Sequence, residues 1–323
     1  MTTAVIRSPE LYDTDRSSTV IALRDVYKRH GQMTALDGLS FTVPQGSICA
    51  LLGPNGSGKT TTIKLLLGLC RPDAGTVHVF GLAADRERES VAIRRRTAFV
   101  SETKELLPQL NVAGTIAMVR QFFPEWRHDL ERALLRQFAL PTMQRVSTLS
   151  KGMRAKLALL LACCRRAELL ILDEPTDGLD PAAAEQLLES LVGMVAETGL
   201  TILMSSHQLH EVERVADTGV FLRAGRCVLH DELDTLRQTV RRLDFRWPTD
   251  SFADSIADRA RPSALGPTVT LLHVTHRSDR VSLLLRGDTV FAGQRLIAQG
   301  AQDVHERAVD LRELFLAVTG ATR

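Results

Sequence analysis

The residues Gly53-Pro54-Asn55-Gly56-Ser57-Gly58-Lys59-Thr60 have the spacing of a loop that holds phosphate. Its glycines let successive backbone N–H groups converge on phosphate oxygens, and the N-terminus of a following helix adds a favourable dipole. Lys59 supplies a point charge for β- and γ-phosphates, Thr60 a hydroxyl for Mg²⁺, and Thr61 a further contact to phosphate. Downstream, Leu169-Leu170-Ile171-Leu172-Asp173-Glu174 is an apolar run ending in two acids. That is the place for a Mg²⁺-binding carboxylate, Asp173, and a water-activating one, Glu174. In isolation such acids more often serve a helix N-terminus, and the phosphate loop upstream reverses that balance.

These groups must be carried by regular elements. Residues 47–52 read as a short buried strand and 60–69 as a helix by apolar periodicity, which gives strand, loop, helix around the glycines. Residues 169–172 and 201–205 are further buried-strand runs, and 182–197 and 210–216 are helical. The alternation implies an α/β fold with a mainly parallel sheet covered on both faces, and His207 follows a core strand at the ligand-binding edge. Two β-rich segments, 19–26 and 39–43, precede the loop, with Asp37-Gly38 as the turn signal between them. Residues 106–140 look mainly helical and interrupt the alternation, divided into two helices by Phe122-Phe123-Pro124-Glu125-Trp126. Leu149-Ser150-Lys151-Gly152-Met153 opens a strongly apolar helix for which Ser150 is the natural N-cap.

After Leu236 the pattern changes to strands at 268–274 and 280–285, joined by His276-Arg277-Ser278-Asp279 and preceded by a loop over 261–267. Asp310, with Glu313 three residues on, forms a capping-box pattern for a terminal helix over 311–318. The expected organisation is a flexible tail over 1–18, a main domain over 19–236 with a helical subdomain at about 105–165, and an accessory α+β domain over 237–323.

Composition narrows the partners. Hydrophobic residues make up 44% and charged residues 24%, close to soluble globular averages. A net charge of +2 argues against a dedicated nucleic-acid binder, and Arg94-Arg95-Arg96 reads as a solvated face. The five cysteines (Cys49, Cys70, Cys163, Cys164, Cys227) lack metal-ligand spacing and read as reduced thiols of a cytosolic protein. Residues 1–18 show neither signal peptide nor anchor, and the apolar run 157–164 is far short of the roughly 20 residues a membrane span needs. Any membrane role must come through a partner.

The order of these segments resembles the ATP-binding-cassette ATPase family across residues 19–236, about two-thirds of the chain. That resemblance implies a P-loop NTPase with a β-rich N-terminal segment and a helical subdomain, using ATP and Mg²⁺. Residues 149–153 stand where the family has Leu-Ser-Gly-Gly-Gln, so Ser150 and Gly152 are expected to contact the γ-phosphate held by a second subunit. Asp180, in Pro175-Thr176-Asp177-Gly178-Leu179-Asp180, is expected to bridge the two sites, and His207 to contact the γ-phosphate and orient water. Glu102, in Val100-Ser101-Glu102, takes the place of the family's metal-contacting glutamine, and a carboxylate can still coordinate Mg²⁺. His30 sits where an aromatic ring stacks on adenine, with Tyr27 as the alternative. Lys151 and Met153 depart from the usual Gly and Gln.

The resemblance extends to bacterial exporter subunits of the multidrug or antibiotic-resistance kind. It implies a homodimer or heterodimer of cassettes, a separate membrane-spanning permease that docks on the helical region, and a cytoplasmic site on the inner face of the plasma membrane. The aromatic run 122–126 is either that contact or a core cluster of the helical region. A soluble cassette ATPase acting on ribosomes or DNA is the alternative, disfavoured by the single cassette, the absence of a heptad run and the low charge. A P-loop kinase or small GTPase would leave the signature, bridging and switch segments without a reason to occur together.

Overall fold

The computed structural model describes residues 19–247, 265–277 and 279–320. The expected tail over 1–18, much of the expected loop over 261–267, and Ser278 lie outside the described residues. Strands β1 (Thr19–His30) and β2 (Met33–Pro44) form an antiparallel hairpin whose turn is Gly31-Gln32, so the expected turn at Asp37-Gly38 is corrected: that pair sits inside β2. The cause is a bulge. Val26 pairs with Leu39 and Tyr27 with Asp37, leaving Gly38 as the extra residue at φ +72°, where a Cβ would lie 3.1 Å from the Tyr27 hydroxyl oxygen. The Asp37 carboxylate accepts the Arg226 guanidinium at 2.6 and 2.9 Å, which further fixes the pair away from a turn.

Next come β3 (Ile48–Leu52), the glycine loop and α1 (Lys59–Leu66), followed by β4 (Ala74–Val79), β5 (Leu82–Ala83), α2 (Glu87–Arg96) and β6 (Thr97–Val100). The first sheet is ordered β2-β1-β4-β5. Three helices, α3 (Val112–Arg120), α4 (His128–Gln137) and α5 (Lys151–Cys163), then interrupt the alternation, as the sequence leads one to expect. It resumes with β7 (Leu169–Asp173), α6 (Pro181–Thr198), β8 (Thr201–Ser206), α7 (Leu209–Val215) and β9 (Thr218–Arg223).

Within the central sheet the strands β9-β3-β8-β7-β6 run parallel. Every residue of β3, β7 and β8 is buried, which is why their sequences are continuous apolar runs and not alternations. Phe41, Leu51, Ile63, Leu65, Ile171 and Leu203 belong to one core that ties the first sheet to α1 and the central sheet.

The helical region is fixed by side-chain caps and by part of the aromatic run. Asn111 Oδ1 accepts the Gly114 N–H at 2.7 Å to start α3, and Ser150 Oγ accepts the Met153 N–H at 3.1 Å to start α5. Trp126 is 6% exposed and its indole N–H donates to Glu131 Oε2 at 2.6 Å, so it belongs to the core of this region. Phe123 lies under the Arg165 guanidinium, 4.0 Å from its ring centre, whereas Phe122 is 73% exposed.

The chain divides into two compact units between Cys227 and Val228, within β10 (Arg226–Glu232). The second unit continues through α8 (Leu233–Thr239), β11 (Val240–Arg246), β12 (Val269–Arg277), β13 (Arg280–Gly287), α9 (Thr289–Ala298), β14 (Gln302–Ala308) and α10 (Leu311–Thr319). Its antiparallel sheet, ordered β12-β13-β11-β14, packs Leu243, Phe245, Leu283 and Leu285 with Ala292 and Leu296 of α9. Asp310 Oδ1 caps α10 by accepting the Glu313 N–H at 2.6 Å. The other half of the expected capping box is replaced: the Glu313 carboxylate accepts Arg307 at 2.6 and 2.7 Å, and also Arg242. Two guanidinium groups outcompete one backbone N–H.

The contrast within the aromatic run is testable. Trp126→Ala should cost about 3 kcal/mol through a core cavity and an orphaned Glu131, whereas Phe122→Ala should stay within about 0.5 kcal/mol. Urea unfolding midpoints of the two variants check this, and equal shifts would contradict the packing described.

Candidate nucleotide-binding and hydrolytic site

The phosphate loop connects fully buried β3 to α1. Gly58, at φ +110°, precedes Lys59, and a Cβ there would lie 2.6 Å from Leu36 Cδ2 and 2.9 Å from the Ala35 carbonyl oxygen. Only glycine satisfies both the backbone and the space. The N-terminus of α1 has no side-chain cap and no acidic residue in its first turn, which leaves its N–H groups for an outside anion. Lys59 is 8% exposed, and Nζ donates to the Gly53 carbonyl at 2.7 Å and the Pro54 carbonyl at 3.4 Å. Burial lowers its pKa against the raising fields of Glu174, Asp173 and Glu102.

Ser57 Oγ is buried without a hydrogen-bond partner, whereas Thr60 is exposed and Thr61 half-buried. An uncapped helix start, a cation resting on the loop's own carbonyls and an orphaned hydroxyl fit a polyphosphate. Asp173 and the exposed Thr60 are oxygen donors of the type Mg²⁺ shares with phosphate.

The acid pair stands at the end of β7, whose register with β8 sets Asp173 opposite Ser205. Ser205 Oγ donates to Asp173 Oδ1 at 2.6 Å and accepts the Glu174 N–H at 3.0 Å. Glu174 has φ +48° and is 9% exposed. Its Oε2 lies 2.8 Å from His207 Nδ1 and accepts the His207 N–H at 3.3 Å. An ionised carboxylate only accepts, so Nδ1 carries the proton in this pair. The structure thus brings Glu174 and His207 into contact and places Asp173 and Lys59 in their electrostatic neighbourhood.

The signature and bridging segments form a second cluster. Asp180 Oδ1 caps α6 by accepting the Ala183 N–H at 2.9 Å, as Ser150 caps α5. Lys151 Nζ donates to Asp177 Oδ2 at 2.7 Å, which lowers the Asp177 pKa. The ammonium is therefore engaged within its own chain. A Cβ on Gly152 would meet Leu179 Cδ2 at 3.3 Å, so the two segments touch there as well. Glu102 is exposed. His30 is exposed at the hairpin tip, and Tyr27 is 43% exposed beside the bulge.

Sequence reasoning missed three groups that hold this arrangement: Ser205 between the acids; Lys104, which donates to the Glu174 carbonyl at 3.1 Å; and Glu211, which accepts the Thr176 hydroxyl at 2.6 Å. A polar pair, Ser205-Ser206, ending an otherwise apolar strand was the available signal for the first. A cavity of about 750 Å³ lined by Arg96, Arg127, Arg166 and Glu168 lies at the starts of β7 and β8, the end of the sheet away from Asp173 and Ser206. None of the sequence-derived site residues lines it.

The ABC transporter family profile matches residues 36–177. The Nod factor export ATP-binding protein I of Burkholderia lata is 39% identical over 212 residues, covering 64% of this chain and 68% of that protein. The daunorubicin resistance ATP-binding protein DrrA3 of Streptomyces coeruleorubidus is 32% identical over 323 residues, covering 95% of this chain and 98% of that protein. Among solved structures, an ATP-binding subunit of an ABC transporter is 33% identical with a TM-score of 0.62, covering 68% of this chain and 93% of that chain. With similarity running nearly from end to end and the acids, histidine and phosphate loop converging on one edge of a parallel sheet, the chain belongs to the ABC transporter ATP-binding subunits, the family of cassette ATPases that bind ATP.

Proposed function

We propose that this chain powers export through a separate membrane-spanning permease, held on the inner face of the membrane as one of two cassette subunits, either two copies of itself or one copy with a similar chain. Supporting this are relatives that serve Nod factor export and daunorubicin resistance, and the fact that no described helix is long and apolar enough to cross a membrane. The observation that carries the reading is the contact between Glu174 and His207, 2.8 Å apart, at the strand ends that face Lys59.

Glu174 polarises the attacking water, and the His207 proton on Nδ1 holds the ring so that Nε2 is left to accept from the water, or, in the doubly protonated ring, to donate to a γ-phosphate oxygen. Lys59 leaves the Gly53 and Pro54 carbonyls for phosphate oxygens, joined by the backbone of residues 53–58 and by Thr61. Thr60 and Asp173, with Glu102 as the third oxygen donor, would hold Mg²⁺, which when bound would supply charge neutralisation on the phosphates. His30, or Tyr27 in its place, stacks on adenine.

Ser150 and Gly152 serve the nucleotide of the other subunit. The Ser150 oxygen accepts from the Met153 N–H, which leaves its own O–H to donate, and the Gly152 N–H lies in the first turn of α5 where no helical partner exists. Asp180 links the two sites from the start of α6.

Glu174→Gln should bind MgATP with near-normal affinity while turnover falls by about 100-fold or more. Steady-state phosphate release alongside nucleotide binding checks this, and a variant that still turns over normally would remove Glu174 from its role. For the permease contact, exposed Phe122 is the residue to change, since Trp126 is core. Phe122→Asp should leave isolated ATPase activity intact and reduce co-purification with the permease by about 10-fold, the loss of one buried aromatic anchor. Unchanged recovery would move the contact elsewhere.

A further inference from the structure

We propose that Lys104 is a positioning residue for hydrolysis: its buried ammonium grips the Glu174 carbonyl and so fixes the backbone from which the Glu174 carboxylate reaches His207. The inference rests on the reading of Glu174 as the water-polarising group and adds a residue which that reading does not use.

Lys104 follows β6 by a few residues, in the same segment as Glu102. It is 5% exposed, and Nζ donates to the carbonyls of Glu174 at 3.1 Å and Glu102 at 3.3 Å. Both acceptors are neutral, and the carboxylates of Asp177, Glu102 and Glu174 act on this ammonium only through their fields, none of them being its hydrogen-bond acceptor. Lysines ordinarily let their charged ends reach water, because burying an ammonium without a counter-ion is costly. Burial accordingly pushes the Lys104 pKa down. Packing alone gives no reason for a cation here, and a leucine or methionine would fill the space without that cost.

The grip acts on a strained residue. Glu174 adopts φ +48°, a conformation that a residue with a β-carbon holds only where its surroundings enforce it. Its N–H is bound by Ser205 Oγ at 3.0 Å, from β8. Its carbonyl accepts the Asp177 N–H at 3.2 Å, from the bridging loop, and the Lys104 ammonium. The peptide is thus pinned by three segments, and Lys104 is the pin that belongs to the Glu102 loop. Lys104 itself sits at φ +47° in a tight turn closed by its N–H to the Ser101 carbonyl at 3.1 Å, so its side chain leaves the loop in a fixed direction. A shift of the loop therefore pulls directly on the backbone of the hydrolytic acid.

The test uses the full chain with Lys104→Met, which keeps the length and removes the donors, and Lys104→Arg, which keeps a cation able to donate to the same carbonyls. For each, steady-state ATP turnover, equilibrium binding of MgATP and the thermal unfolding midpoint are measured. Lys104→Met should lower kcat by about 30-fold with the MgATP Kd within about 3-fold and an unchanged midpoint, and Lys104→Arg should recover about 10-fold of that loss. Turnover of Lys104→Met within about 2-fold of the parent overturns the proposal. So does a loss of kcat that appears in both variants only together with weaker MgATP binding and a lowered midpoint, which marks a merely structural lysine. Glu174→Gln measured in parallel separates the two claims: if it turns over normally the base assignment fails, and if it is inactive while Lys104→Met is normal only the positioning role fails.

Discussion

The Ser205 hydroxyl is the smallest group on which the hydrolytic arrangement depends. It donates to Asp173 and accepts from the Glu174 N–H, and it is fully buried, so neither bond is shared with water. The bridge exists because β7 and β8 are parallel with Asp173 opposite Ser205. On its other side β8 sets Ser205 opposite Leu51 and Ser206 opposite Leu52 of β3, the strand that launches the phosphate loop. Sheet register therefore fixes the relation among Lys59, the two acids and His207 before any side chain chooses a rotamer. A slip by one residue on a buried parallel strand would turn Asp173 and Ser205 to opposite faces.

Around this rigid edge the remaining segments are held by bonds of unequal strength. Thr176 donates to the buried Glu211 of α7, which ties the bridging loop to the helix that follows His207, and a buried hydroxyl–carboxylate pair is expensive to break. Lys151 and Asp177 also join the signature segment to the bridging loop, but their side chains are 54% and 38% exposed. Solvent screening leaves such a pair about 0–1 kcal/mol. Separating Lys151 from Asp177 therefore costs little, while the Thr176–Glu211 link stays closed. The signature lysine, a departure from the family's glycine, is a cation with a removable partner.

The parts of this molecule that are legible in sequence are those set by near neighbours. Buried strands read correctly from apolar runs because both faces are covered, and Ser150 and Asp310 read as caps because capping reaches only three residues ahead. Asp37-Gly38 misleads because the same dipeptide that suits a turn also suits a bulge, and the choice is made by Tyr27 across the hairpin and by Arg226, distant in sequence. Glu313 reads as half of a capping box until Arg242 and Arg307 arrive from other strands. Lys104 carried no signal at all, since a lysine in a polar loop reads as solvated, and its burial is a property of the fold.

The two strained, bonded residues show how precision at the site is obtained. Glu174 and Lys104 both lie in the left-handed region and share a hydrogen bond, so each restrains the conformation of the other. A relaxed backbone at Glu174 would give its carboxylate more directions and loosen the 2.8 Å contact with His207. Fixing it from three segments spends stability on geometry, which is advantageous where a water must be held in line with a phosphate. It also makes the acid responsive, because one of those segments is the loop leading into the helical region. On the proposed assembly that region is the face turned to the permease, and the Lys104 bond then joins the surface that senses the partner to the residue that turns over ATP.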